Sequence, residues 1–118
     1  MYFHSPEELK RIIPVCDGVW NKDYLYEYLV WSCNIEFEEY INRFFSDYLN
    51  DENLADMLFS FLLDDDYNGS DSQMGAAWLI SKLDRRVLQA KKELLIRVQE
   101  NEADWKRPFP DVKDLDGL

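Results

Sequence analysis

The chain has 118 residues, of which 47% are hydrophobic and 15% aromatic, and its formal charge is -11. This length fits one domain with a single core, and the apolar content is too high for a disordered acidic tail. The negative charge argues against direct binding to DNA, RNA or anionic lipid, because phosphate contacts require lysine and arginine.

The sequence carries no signal for membrane insertion or secretion. Its longest apolar run, residues 57–63, is far shorter than the roughly 18 residues of a spanning helix. The first four residues contain neither a basic region nor an apolar segment typical of a secretion signal. We therefore expect a cytoplasmic protein in which Cys16 and Cys33 remain thiols.

The first elements in chain order are a short helix, a turn and an aromatic segment. Ser5-Pro6-Glu7-Glu8 has the pattern of a capping box and predicts a helix that ends before Pro14. Cys16-Asp17-Gly18 predicts a turn. Residues 22–33 are apolar or aromatic on all sides, which fits a buried helix or a strand. The length of the segment and its helical neighbours favour a helix.

Two amphipathic helices are predicted next. Residues 36–49 place their apolar side chains on one helical face: Phe37, Tyr40, Ile41, Phe44, Phe45, Tyr48 and Leu49. Asn50 or Asp51 can cap the following helix, in which Leu54, Leu58, Phe61 and Leu62 repeat the same spacing.

The last third predicts a long helix. Ser70 and Gln73 form a second possible capping box. The helical pattern then runs to about residue 103, with a coiled-coil-like seam formed by Ala76, Ile80, Leu83, Val87, Ala90 and Leu94. This helix either breaks near Asp84 or projects and pairs with a second copy. We predict an all-α compact bundle of about five helices with a long C-terminal helix, as one domain over residues 1–105, and an extended tail over residues 106–118.

The segment from Asp64 to Gly75 resembles an EF-hand calcium loop over those twelve residues only. Asp64, Asp66 and Asn68 match loop positions 1, 3 and 5, and the resemblance implies oxygen ligands around one Ca²⁺. Position 12, normally a bidentate glutamate, is Gly75, and the usually apolar position 8 is Asp71. We therefore expect an acidic turn between two helices, with no metal and no cofactor.

Residues suited to catalysis are scarce in this sequence. His4 is the single histidine, so a zinc site lacks ligands and a catalytic triad would need His4 as its base. The four glycines are scattered and form no phosphate-binding loop. We expect a protein that is not an enzyme.

Charge is segregated along the chain. Residues 23–75 contain thirteen Asp or Glu and one base, Arg43, together with twelve of the eighteen aromatic residues. From residue 76 onward nine bases meet eight acids. Concentrated like charge destabilises a compact state, whereas an acidic surface with aromatic anchors suits a basic partner. One or two of Tyr24, Tyr26, Tyr28 and Trp31 are expected to reach the surface.

Three functional hypotheses follow from the sequence. The preferred one is an immunity or antitoxin-type protein that occludes the substrate site of a basic toxin, with a nuclease as the best-fitting class. The alternatives are a nucleic-acid mimic that inhibits a defence system of the anti-restriction or anti-CRISPR type, and a helical adaptor that forms a homodimer through the C-terminal seam. The predicted partner-binding residues are Asp23, Glu27, Tyr28, Trp31, Glu36, Glu38, Glu39 and Asp47.

Overall fold

The described residues form seven α-helices and one small hairpin. The computed structural model describes residues 5–34, 36–67 and 71–100. In chain order these residues form α1 (Pro6–Leu9), β1 (Val15–Cys16), β2 (Val19–Trp20), α2 (Lys22–Trp31), α3 (Glu38–Phe45), α4 (Glu52–Leu63), a 3₁₀ turn (Asp65–Tyr67), α5 (Asp71–Ile80), α6 (Arg85–Ala90) and α7 (Lys92–Glu100). The mostly helical architecture confirms the predicted all-α class.

The first helix begins at the predicted capping box. The Glu8 backbone N–H donates to Ser5 Oγ at 3.2 Å, and the Ser5 N–H donates to Glu8 Oε1 at 3.1 Å. These two bonds satisfy backbone donors that the first turn would otherwise leave without partners. The helix then lasts only one turn and gives way to the hairpin.

The predicted turn at Asp17 and Gly18 closes a two-stranded hairpin. Val15 pairs with Trp20 and Cys16 with Val19 in an antiparallel register. Asp17 has φ of 52° and Gly18 has φ of 81°, a left-handed pair that Asp-Gly sequences adopt readily in two-residue hairpin turns. The turn is confirmed, and the short strands on either side were not predicted.

The aromatic segment after the hairpin is a helix, as predicted. The Asn21 side chain caps α2 by accepting from the Tyr24 backbone N–H at 3.1 Å. Helix α2 packs against both α3 and α5. The two helices α2 and α5 approach closely at Gly75, where a Cβ atom would collide with the Leu29 carbonyl oxygen and with Ser32 Oγ. Because α2 is buried from two sides, its sequence has no single apolar face.

The two amphipathic helices follow the predicted pattern. In α3, Ile41 and Phe45 are fully buried, and the charged side chains of the helix point outward. The Asp51 side chain caps α4 by accepting from the Leu54 backbone N–H at 3.0 Å. Leu54, Leu58, Phe61 and Leu62 are all buried in the core.

The long C-terminal helix is replaced by three shorter ones. The chain leaves helical geometry between Ile80 and Arg85, so the predicted break near Asp84 is confirmed. The Asp84 backbone N–H donates to the Leu49 carbonyl at 2.9 Å, which fixes the break against the turn before α4. A straight projecting helix is therefore wrong.

The predicted seam faces the inside of the same molecule. Ala76, Ile80, Leu83 and Val87 are buried, whereas Ala90 is exposed. A dimer through the intact seam would require side chains that already form the core.

His4, Ser70 and the tail predicted from residue 106 lie outside the described residues. Among the helices described, none combines the length and the apolar character needed to cross a membrane.

Candidate protein-binding surface

Most of the acidic side chains in residues 23–75 lie at the surface. Nine of the thirteen are exposed: Asp23, Glu36, Glu38, Glu39, Asp47, Glu52, Asp56, Asp66 and Asp71. Asp51 and Asp64 are half-exposed, and Glu27 is buried. The one base of the segment, Arg43, forms an exposed ion pair with Glu39 at 2.8 Å. An exposed pair of this kind contributes little stability and leaves the surface strongly negative.

The outer side of α3 and its flanking turns carries four of the eight predicted partner-binding residues. We name Glu36, Glu38, Glu39 and Asp47 the α3 acidic face. Over the described part of the chain, Glu36, Glu38 and Asp47 have no basic group within ion-pair distance. Their carboxylates therefore face water and are available to cations from a partner.

The packing of α3 holds this face in place. Phe37 and Phe45 are buried beneath it, with Trp31 edge-on to Phe37 at 5.2 Å and Tyr28 edge-on to Phe45 at 6.1 Å. The Glu36 backbone N–H donates to Asn34 Oδ1 at 2.9 Å, which orders the turn before the helix. The carboxylates thus stand on a helix whose inner side is anchored in the core.

Three of the predicted partner-binding residues are inside the protein. Glu27, Tyr28 and Trp31 are buried, with exposed fractions of 2%, 0% and 7%. Their burial corrects the expectation that they form surface contacts. The physical reason is that α2 is covered by α3 and by α5, so both sides of the helix are occupied. Tyr24 was not among the predicted partner-binding residues, but its side chain is exposed at the surface.

Tyr28 connects the N-terminal segment to the core. Its hydroxyl donates to the Ile12 carbonyl at 2.6 Å and lies 3.2 Å from the Leu9 carbonyl. The Tyr40 hydroxyl is 3.4 Å away. Burial, followed by the interaction with Tyr40, raises the pKa of the Tyr28 phenol well above its ordinary value. Tyr28 is therefore a structural residue.

This raised pKa predicts a loss of stability in alkali. Below pH ~10 the phenol is protonated in both states, and above it only the unfolded chain releases the proton. The stability that Tyr28 contributes should then fall by up to about 1.4 kcal/mol per pH unit. Urea unfolding of the protein and of Tyr28→Phe at increasing pH measures this effect. The free-energy difference between the two proteins should shrink as the pH rises, and a constant difference would mean that Tyr28 ionises in the folded state.

Asp23 belongs to a second group of carboxylates beside the 3₁₀ turn. Burial raises the pKa of the Tyr67 phenol, and the carboxylates of Asp64, Asp23 and Asp66 contribute in the same direction. The ammonium of Lys22 lies over the Tyr67 ring, 5.5 Å from its centroid. Asp23 is exposed, as predicted, and it lies near the acidic residues that follow α4.

The described part of the segment that resembles a calcium loop ends in a helix. Asp71 begins α5, so the last five of the twelve residues are helical. Gly75 lies at the crossing of α2 and α5, where no glutamate side chain could be accommodated without moving the helices. Within the described ranges, no three His, Cys, Asp or Glu side chains come together in a group that could hold a metal ion.

The two cysteines are free thiols. Burial, and then the carboxylate of Asp71, raise the pKa of the Cys33 thiol, so this side chain is protonated at neutral pH. Its sulfur lies 3.4 Å from the Asp71 carbonyl oxygen. A protonated thiol in an acidic environment is a poor nucleophile.

A groove between the hairpin and α4 was not found from the sequence. Val19 and Trp20 form one wall, and Asn53 and Met57 belong to the other. In the sequence, the signal for the hairpin was the Asp17-Gly18 pair, because Asp-Gly is typical of two-residue hairpin turns.

Comparison with protein-family models, with curated proteins and with solved structures found no match to this chain.

Proposed function

We propose that this chain is a small acidic protein of immunity or antitoxin type that binds a basic toxin and occludes its substrate site. The observation that carries this proposal is the exposure of nine carboxylates in residues 23–75, beside one base that is already paired. Such a surface generates a negative potential that attracts a basic protein and accelerates their association.

Nucleases are the toxin class that best fits this surface. A nuclease holds its substrate through lysine and arginine side chains that contact phosphate. Carboxylates of the α3 acidic face could pair with these cations and exclude nucleic acid from the same site. Because the helix is anchored by Phe37, Ile41 and Phe45, its outer carboxylates can be presented with little loss of conformational entropy.

The test begins with affinity capture from the native cell at low salt, followed by elution with a salt step. The expected partner is a basic protein whose nuclease activity is abolished by one equivalent of this chain. Reversal of two charges in Glu38→Lys/Asp47→Lys should then weaken the complex by about tenfold per charge, because each lost attraction becomes a repulsion. Affinity is measured by titration calorimetry at two salt concentrations.

A matched control reverses two exposed acids outside residues 23–75. Glu7→Lys/Glu93→Lys changes the net charge by the same amount, and both residues lie in the first turn of a helix, as Glu38 does. The control should change affinity by less than about threefold. Equal losses for both double variants would show that net charge alone drives binding, and no loss in either would overturn the assignment of the α3 acidic face.

The same experiment separates the two alternatives. A nucleic-acid mimic would capture a protein of a defence system and compete with duplex DNA or RNA for it. An adaptor would capture partners that are not eluted by salt, and its binding would be unchanged by the charge reversals at Glu38 and Asp47. Mutating the seam cannot test an adaptor, because Ile80 and Leu83 are core residues and their loss would unfold the domain.

A further inference from the structure

An open groove lies between the hairpin and α4. Its volume is about 480 Å³, within the range of about 300–1,000 Å³ typical of small-ligand pockets. Gly18, Val19 and Trp20 line it from the hairpin, and Asn53, Met57 and Ser60 line it from α4. The Val19 side chain is 71% exposed and contributes apolar surface to the groove.

Hydrogen bonds and ring packing connect the walls of the groove to the rest of the fold. The Asn53 side-chain amide lies 3.4 Å from the Gly18 carbonyl oxygen, which ties the hairpin turn to α4. Trp20 donates from Nε1 to Asp51 Oδ2 at 3.1 Å and stacks on Phe45 with ring centroids 6.1 Å apart. A site whose walls are already ordered loses little conformational entropy when it is filled.

One residue that lines the groove is acidic, and three more carboxylates lie close to its lining residues in the sequence. Asp56 lines the groove, Asp17 precedes the hairpin glycine, and Asp51 accepts the hydrogen bond from Trp20. Glu52 lies close by, since it shares a cation with Asp56: Lys91 Nζ lies 2.8 Å from Asp56 Oδ1 and 3.9 Å from Glu52 Oε1. Lys91 thus pairs with two of these four carboxylates, and within the described residues no ion pair involves Asp17 or Asp51.

We infer that this groove receives an apolar side chain of the basic partner, flanked in the partner by lysine or arginine. This inference rests on the proposed function and adds a desolvated anchor to a surface that is otherwise polar. Such anchors carry much of the binding energy at protein interfaces, whereas rim charges mainly set the rate and the specificity of association. A second copy of this chain is a poor occupant beside these carboxylates, because it also carries a charge of -11.

Two small probes with the same ring test the groove without the partner. Tryptamine joins an indole ring to an ammonium, and indole-3-propionate joins the same ring to a carboxylate. In ¹H–¹⁵N spectra, tryptamine should shift the backbone resonances of Val19, Asn53 and Met57 in a saturable manner, and indole-3-propionate should bind at least threefold more weakly. No shift at the groove up to the solubility limit, or equal binding of both probes, would overturn the inference.

Variants of the groove make the test specific. Val19→Ser should weaken tryptamine binding by about fivefold through lost apolar contact, and Asp17→Asn by about twofold to fivefold through lost charge. Asparagine retains the left-handed geometry of the turn, so Asp17→Asn should keep the hairpin. Met74→Ser, which alters an exposed apolar residue of α5, is the control and should leave binding unchanged. Thermal unfolding confirms that each variant folds.

The two proposals can fail separately. If Glu38→Lys/Asp47→Lys weakens the captured complex but Val19→Ser does not, the acidic surface binds the partner and the groove inference is wrong. If tryptamine binds at the groove but no basic toxin is captured, the groove is a cation-selective apolar site and the proposed function is wrong.

Discussion

Replacing Gly75 with alanine should lower the free energy of unfolding by about 2 kcal/mol. A methyl group at this position meets the Leu29 carbonyl oxygen and lies 2.7 Å from Ser32 Oγ, closer than unbonded atoms tolerate. Forcing a group into a packed site costs about 1–3 kcal/mol, and more where backbone is in the way. Alanine recovers about 1 kcal/mol through its higher helix propensity, so the steric cost prevails. Urea unfolding monitored by circular dichroism gives the difference.

The control for this prediction is Met74→Ala. Met74 is exposed and adjacent to Gly75 in α5, so its truncation should change stability by less than about 0.5 kcal/mol. Ser32→Gly added to Gly75→Ala should restore only part of the loss, because the contact with the Leu29 carbonyl oxygen remains. A Gly75→Ala protein more stable than the original would mean that α2 and α5 are farther apart than described.

Truncation of Tyr28 to alanine should destabilise the protein by about 4 kcal/mol. The ring is fully buried and packs edge-on against Phe44 at 5.0 Å, and loss of a large aromatic side chain from a core costs about 3–5 kcal/mol. Tyr28→Phe keeps the ring and removes the hydroxyl, so it should cost about 1–2 kcal/mol by leaving the Ile12 carbonyl without its donor.

Tyr24→Ala separates burial from the identity of the residue. Tyr24 belongs to the same helix and is 40% exposed, so its loss should cost about 1 kcal/mol or less. The three variants are compared by urea unfolding under one set of conditions. If Tyr28→Ala were as stable as Tyr24→Ala, the burial of the Tyr28 side chain against α1 and α3 would be contradicted.

Local signals predicted the beginnings of several elements. The capping box at Ser5 and the cap at Asp51 both form, because each depends on side chains only three residues from the backbone groups they satisfy. The apolar stripe that includes Ile41 and Phe45 was also predicted correctly, since one buried face leaves a clear helical period.

Features that depend on distant neighbours were not predicted. The burial of Glu27, Tyr28 and Trp31 follows from the packing of α2 against both α3 and α5, and α5 lies more than forty residues later in the sequence. The four-and-three spacing of the seam continues across the break, because α5 and α6 both bury their apolar side chains in one core. Nothing in that spacing distinguishes one long helix from several short ones.

The hairpin and its groove were missed for a different reason. Strands of two residues are too short to show an alternating pattern. The turn at Asp17 and Gly18 was recognised, but the groove requires the contact between Gly18 and Asn53, whose positions differ by 35 residues. The α3 acidic face could be predicted because exposure of charged side chains opposite an apolar stripe is a local property.

The construction of α3 separates the residues that maintain the fold from those that meet the solvent. Phe37, Ile41 and Phe45 fix the helix to the core, and no described contact of Glu38 or Asp47 is required for that attachment. Mutations on the outer side can therefore accumulate without selection against misfolding. Homologous proteins could therefore change this surface by single substitutions as the partner changes, while the core sequence stays the same.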